Sequence, residues 1–194
     1  VHGGYDPASK GTDVSSRNAE TVFDGSGSSR FLTLGNQTEP TFDGITFANL
    51  KSNSEGCILL AAGGSGDARV NFTNCTFRKC TGSGGQNPIL MVRKGLAKLN
   101  NVTFDGCRAD GGVRGLIRLA QKESRVYLNA CTFINNTFGG GGFGLLVHLN
   151  DVGGNVCLHN VTFAGNDNGC GATGVVNGTG GMLIASSTIV ASNA

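Results

Sequence analysis

The sequence predicts an all-β chain folded as a right-handed parallel β-helix, a solenoid of about six to seven coils with roughly 28 residues and three short strands per coil. Three observations predict it. Glycine is abundant and charge scarce, one phrase recurs six times at near-constant spacing, and apolar residues alternate inside every copy.

Of 194 residues, 33 are glycine and three proline, so glycine stands at more than twice its usual share of about 7%. Charged residues make up 14%, roughly half the usual share, which is too few for the solvent faces of long amphipathic helices. Hydrophobic residues at 39% still suffice for a core. The recurring phrase reads FDGITFANL at 42–50, FTNCTFRKC at 72–80, LNNVTFDGC at 99–107, LNACTFINN at 128–136, LHNVTFAGN at 158–166 and IASSTIVAS at 184–192. Anchored on Thr46, Thr76, Thr103, Thr132, Thr162 and Thr188, the spacings are 30, 27, 29, 30 and 26 residues.

The first strand of each coil leads into the phrase. Val70, Ala97, Val126, Val156 and Met182 alternate with Phe72, Leu99, Leu128, Leu158 and Ile184, which is strand periodicity. Two small polar residues then interrupt the alternation. The second is Gly44, Asn74, Asn101, Ala130, Asn160 or Ser186, mostly types that tolerate a left-handed backbone, so a sharp bend is expected. The second strand follows the bend, with its threonine outward and Phe47, Phe77, Phe104, Phe133, Phe163 and Ile189 inward as one core ladder. The third is the apolar run between copies: FLTL at 31–34, ILLAA at 58–62, ILMV at 89–92, LIRLA at 116–120 and LLVHL at 145–149, bracketed by glycine-rich connections. Stacked coils bring like residues into lines, whereas a sandwich would scatter them over two sheets. Aromatic stacking within such a line adds about 0.5–1.5 kcal/mol per pair beyond burial, and the corner asparagines are expected to bond from coil to coil.

The glycine-led apolar strand followed by F-x-x-N, as in FINN at 133–136 and FAGN at 163–166, resembles the short repeats of chlamydial polymorphic outer membrane proteins. FRKC, FDGC and FANL depart from that pattern. GGYD at 3–6, ETVFDG at 20–25 and TFDGITF at 41–47 are similar to the start of large secreted β-helix surface proteins of the pectate-lyase-like superfamily. The resemblance covers nearly the whole chain and implies the right-handed parallel β-helix fold. That superfamily holds lyases, hydrolases, adhesins, passenger domains and structural proteins, so function has to be argued from side chains.

A β-helix lyase or hydrolase needs carboxylates or a base converging on one lateral face. No acidic row forms in the predicted register: Asp43 falls in line with Thr73, Asn100, Asn129, His159 and Ala185, and Asp105 with Arg78, Ile134 and Ala164. Asp24 and Asp43, each in Phe-Asp-Gly, read as turn residues. The nearest approach to a functional row is Arg118 and His148, both 14 residues before their threonine, with Arg93 and Lys94 nearby. They are candidates for an anionic ligand, but solvated strand-face charge is the preferred reading, because no calcium-binding acids stand beside them. No catalytic residue, metal site or cofactor is assigned, since His2 and His159 have no cysteine or histidine at ligand spacing. Tyrosine occurs only at 5 and 127 and tryptophan not at all, which leaves little for a sugar-stacking platform. The outward threonine row suggests an ice-binding β-helix as a third reading.

Seven cysteines without a CxxC pair argue against a zinc ribbon, and the odd count leaves at least one unpaired within the chain. Cys80 and Cys107 occupy equivalent positions on adjacent coils and are expected to form a disulfide. Cys75 and Cys131 lie two coils apart and are expected to be free, while Cys57, Cys157 and Cys170 are unassigned. Seven Asn-x-Thr sequons favour export. Asn36 and Asn177, in polar or glycine-rich connections, are the better acceptors than Asn74, Asn101 and Asn160. A net charge of +2 without a basic cluster gives no case for nucleic acid, and no apolar run reaches the length that spans a bilayer.

The expectation is therefore one domain over 1–194, a segment of a longer chain or a filament subunit. It is read as a secreted or cell-surface structural and adhesive β-helix without catalytic activity, its partners being its own copies or flanking domains, or a glycan or cell-surface molecule. The alternative is a polysaccharide lyase or glycoside hydrolase.

Overall fold

In a computed structural model the chain is an all-β parallel solenoid with no helix among the described residues, which are 1–3, 19–27, 30–52, 55–61, 66–83, 88–110, 115–139, 147–149, 154–167, 176–178 and 181–191. Most of the glycine-rich connections, and Cys170, lie outside them.

Sheet I holds the strands that follow the bend: Thr21–Asp24, Ile45–Ala48, Thr76–Arg78, Thr103–Asp105, Thr132–Ile134, Thr162–Ala164 and Ile189–Ala191, seven in order and all parallel. Sheet II has eleven strands in two ladders. Ladder IIa stacks Leu32–Leu34, Ile58–Ala61, the start of Leu90–Asn100, Ile117–Leu119, Val147–Leu149 and Val176–Gly178. Ladder IIb stacks Thr41–Asp43, Ala68–Thr73, the remainder of Leu90–Asn100, Ser124–Asn129, Asn155–His159 and Met182–Ser186. Sheet III, which the periodicity did not reveal, is built from Lys51–Ser52, Thr81–Gly82, Arg108–Asp110 and Thr137–Gly139. With only four strands there, about four turns are enclosed on all sides, fewer than the six to seven expected. The recurring phrase counts strands of sheet I, and a coil closes only where the two or three residues after the second bend also pair.

The interior is a stack of like side chains. Phe47, Phe77, Phe104, Phe133 and Phe163 are fully buried, with successive centroids 5.1, 4.8, 4.7 and 4.9 Å apart and ring planes within 20° of parallel. Phe42 and Phe72 start a second column at 5.3 Å. Ile189 does not continue the ladder: it pairs with outward Thr162, Val190 pairs with Phe163, and both are more than half exposed. The cause is the bend, which falls at Ser187 (φ 49°) rather than Ser186, so the copy is displaced by one residue and every side chain changes face.

The other bends are where the sequence places them, with φ of 68° at Gly44, 52° at Asn74, 53° at Asn101, 53° at Ala130 and 52° at Asn160. Asn101 Nδ2 donates to Asn74 Oδ1 at 2.8 Å, and Asn74 Nδ2 to Asp43 Oδ1 at 3.0 Å. Ala130 has no side-chain donor or acceptor, so the corner ladder stops there. A second left-handed bend follows five of the seven sheet I strands, at Asn49, Lys79, Gly106, Asn135 and Gly165 (φ 52–62°).

The residue after that second bend explains F-x-x-N. Asn136 and Asn166 are buried, and their Nδ2 groups donate to Phe104 O (3.1 Å) and Phe133 O (3.0 Å), the phenylalanine carbonyls of the preceding coil. Where cysteine replaces asparagine the thiol does the same: Cys80 Sγ donates to Phe47 O at 3.4 Å and Cys107 Sγ to Phe77 O at 3.2 Å. The row therefore selects a small inward donor. Asn136 also donates to Asn166 Oδ1 and accepts from the Cys107 amide, at 2.8 and 2.9 Å. Asn136→Leu would leave the Cys107 amide buried without its partner, at about 1–3 kcal/mol, and take from the Phe104 carbonyl the second hydrogen bond it accepts beside the sheet ladder. We expect a loss of about 2–4 kcal/mol in urea unfolding and a smaller loss for Asn136→Cys, which keeps a donor.

Cys80 and Cys107 are free thiols here, not the expected disulfide. Parallel in-register strands hold equivalent Cβ atoms about 4.8 Å apart, whereas a disulfide draws them to about 3.8 Å. Proximity to Cys107 lowers the Cys80 thiol from its ordinary value, while burial pushes Cys107 well up. Burial also raises Cys57 and Cys75, and pushes Cys131 up to about 11. Cys131 is thus protonated in the folded chain where the unfolded chain has begun to ionise. Its contribution to stability is complete below about pH 8.5 and is lost as pH rises towards 11. In a Cys170→Ser background at neutral pH, a thiol reagent should modify half-buried Cys157 before the five buried thiols, which should react only on unfolding.

Candidate interaction surfaces

The register brings Arg118 and His148 into one outward row of ladder IIa, Thr33–Leu59–Met91–Arg118–His148–Asn177. It does not bring Arg93 or Lys94 there. A register shift follows Val92, Lys94 pairs with Ala61, and Arg93 forms an ion pair with Glu55. Arg118 is no solvated strand-face charge: it is only 7% exposed, in a row where Leu59 and Met91 are buried as well, so IIa is covered on its outer side too. The side chains of His148 and Asn177 lie outside the described set.

Asp24 and Asp43 serve the turns. Asp24 Oδ1 accepts from the Ser26 amide at 2.7 Å and both its oxygens accept from Asn49 Nδ2, while Asp43 meets His2 (3.4 Å) and Asn74. His159 Nδ1 lies 2.8 Å from Ser186 Oγ. No group of three metal-ligating side chains occurs among the described residues. An open groove of about 410 Å³ is lined by Gln37, Thr38, Glu39, Gly66, Asp67 and Arg69, where the Glu39–Arg69 ion pair spans 3.7 Å. Asn36 is exposed in the turn beside it, and Thr46, Thr76, Thr103, Thr132 and Thr162 form the outward row of sheet I.

The outer face of ladder IIb is different in character. Three successive strands present a grid: Leu96, Lys98 and Asn100; then Arg125, Tyr127 and Asn129; then Asn155, Cys157 and His159. Lys98 and Cys157 stand directly opposite Tyr127 on either side, and the tyrosine, at its centre, is 46% exposed. Lys98, Arg125, Asn129 and His159 are exposed, and none of the nine residues is acidic. Tyrosine is too rare in the sequence for composition to suggest a glycan platform. The signal available was its position: Tyr127 follows inward Val126, so the alternation turns it outward.

The last described coil exposes an apolar face, with Met182, Leu183, Ile184, Ile189 and Val190 each about half exposed and no charged residue from 181 to 191. No family model matches the chain, and neither a curated protein nor a solved structure matches it.

Proposed function

We propose that this chain is a secreted or cell-surface β-solenoid with a structural and adhesive role, right-handed and akin to the β-helices of the pectate-lyase-like superfamily. The observation that carries this is the division of labour between its faces. The repeated inward positions are spent on stacking, through the phenylalanine column and the Asn/Cys donor row, and sheet I repeats its outward threonine, while the outward rows of ladders IIa and IIb vary from coil to coil. A core that repeats holds a long flank rigid, and varied flanks can carry different contacts. The seven sequons support export.

The uncharged apolar face of residues 181–191 supports end-to-end stacking, because a further coil would bury it and pair the open strand edges. That coil would come from a second copy or from flanking sequence. For self-stacking, Val190→Lys should convert particles of several copies into single ones in chromatography and electron microscopy.

The adhesive role is tested with beads coated with the chain or with an inert carrier, washed over cell layers and extracellular matrix. Retention above the carrier supports the reading. Release of new reducing ends or unsaturated sugars from a polysaccharide panel would overturn it in favour of a lyase or hydrolase.

A further inference from the structure

We infer that the outer face of ladder IIb around Tyr127 is a binding site for a sulfated polysaccharide, an assignment that rests on the adhesive reading and names its ligand. Three properties of the grid converge on this chemistry.

The first is the aromatic ring. Tyr127 stands in the middle of three parallel strands, with Lys98 and Cys157 across from it and Arg125 and Asn129 two residues away on its own strand. Neighbouring strands lie about 4.8 Å apart and alternate residues about 6.8 Å apart, so all four neighbours are within reach of one sugar unit seated on the ring. A tyrosine so placed offers an apolar face to the C–H side of a pyranose and a polar tip to its hydroxyls.

The second property is charge. Lys98 and Arg125 are exposed and flank the ring, and neither forms an ion pair among the described residues, whereas Arg69, Arg78 and Arg93 do, with Glu39, Glu20 and Glu55. Two cations and no acid on the grid call for an anionic ligand. Sulfate fits this pair better than carboxylate. When the Arg fork takes both oxygens of a carboxylate, the ammonium must share one of them, whereas sulfate has a third oxygen for Lys98. Two cations also supply too few contacts for nucleic acid, whose affinity comes from neutralising many phosphates at once.

The third property is the rim. Asn100, Asn129 and Asn155 surround the ring with amides that both donate and accept, which suits sugar hydroxyls. Asn100 and Asn129 are already aligned, with Asn129 Nδ2 donating to Asn100 Oδ1 at 3.4 Å.

The test is binding of the 194-residue chain to dextran sulfate, alginate and dextran by biolayer interferometry at several salt concentrations. We expect binding to dextran sulfate that weakens as salt rises, alginate at least about tenfold weaker, and none to dextran. Lys98→Ala combined with Arg125→Ala should lower affinity by about tenfold or more, Tyr127→Ala by about tenfold, and Tyr127→Phe by much less, because these side chains point to solvent and their loss leaves the core intact. Lys51→Ala, an exposed cation on sheet III, should change nothing. Equal binding to alginate and dextran sulfate, binding indifferent to the grid variants, or no binding would each overturn the assignment. If beads still adhere to matrix while dextran sulfate fails to bind, the ligand is wrong and the adhesive reading stands. If neither adheres, both fall.

Discussion

Phe104→Ala is expected to destabilise the solenoid by about 3–5 kcal/mol, because the ring lies mid-column, 4.8 Å from Phe77 and 4.7 Å from Phe133, with no exposed surface. Its neighbours are fixed by parallel hydrogen bonds to strands on both sides, so the coils cannot close over the void. Phe133→Ala should behave alike. The same change at Phe23, about half exposed on the first strand of sheet I, should cost far less. Urea unfolding of the three variants measures the difference, and equal losses would contradict the column as the source of stability.

Gly95→Ala is expected to be about as damaging, at roughly 3–5 kcal/mol, although it adds a single methyl group. Gly95 lies within the long strand Leu90–Asn100, where the chain passes from ladder IIa to IIb, and its φ of 127° is one that side chains with a Cβ rarely adopt. A Cβ there would also overlap the carbonyl oxygen of Ala68, a backbone atom held in the neighbouring strand. Gly106→Asn is the control. Gly106 has a φ of 59° at the second bend, where Asn49 and Asn135 stand in other coils, and a Cβ would meet nothing nearer than Lys79 Cγ at 3.9 Å. Urea midpoints should fall steeply for Gly95→Ala and little for Gly106→Asn.

Gly95 belongs to a row that is visible in the sequence. Ala68, Gly95, Ser124 and Gly154 lie eight residues before Thr76, Thr103, Thr132 and Thr162, and Gly181 eight before Ile189. The last of these spacings runs to Ile189, not Thr188, and so carried the true register of the final copy. The recurring threonine points to Thr188, whereas the row of small residues follows from backbone crowding and is the more physical marker. Sheet III was missed because strands of two or three residues are too short to show a period.

The candidate sites were legible to different degrees. Spacing alone put Arg118 beside His148, because register in a solenoid is arithmetic. It did not show that Arg118 is buried, since burial depends on what lies over the outer face of ladder IIa. The Cys80–Cys107 pair was likewise right in position and wrong in chemistry: equivalence on adjacent coils guarantees proximity, but in-register parallel strands keep the two side chains side by side without converging.

The sequence by itself determined the repeat, the strand character of its parts, the first bend and the identity of the aromatic column. All of these follow from local periodicity and from residue types that set backbone angles. Only the tertiary structure decided how many turns close, which thiols stay apart, where the last copy shifts face, and that Lys98, Arg125, Tyr127 and three asparagines share one acid-free surface. These depend on which strands pair across about 30 residues of chain, and the hydrogen-bonded register between coils, not any local preference, sets the distances between their side chains.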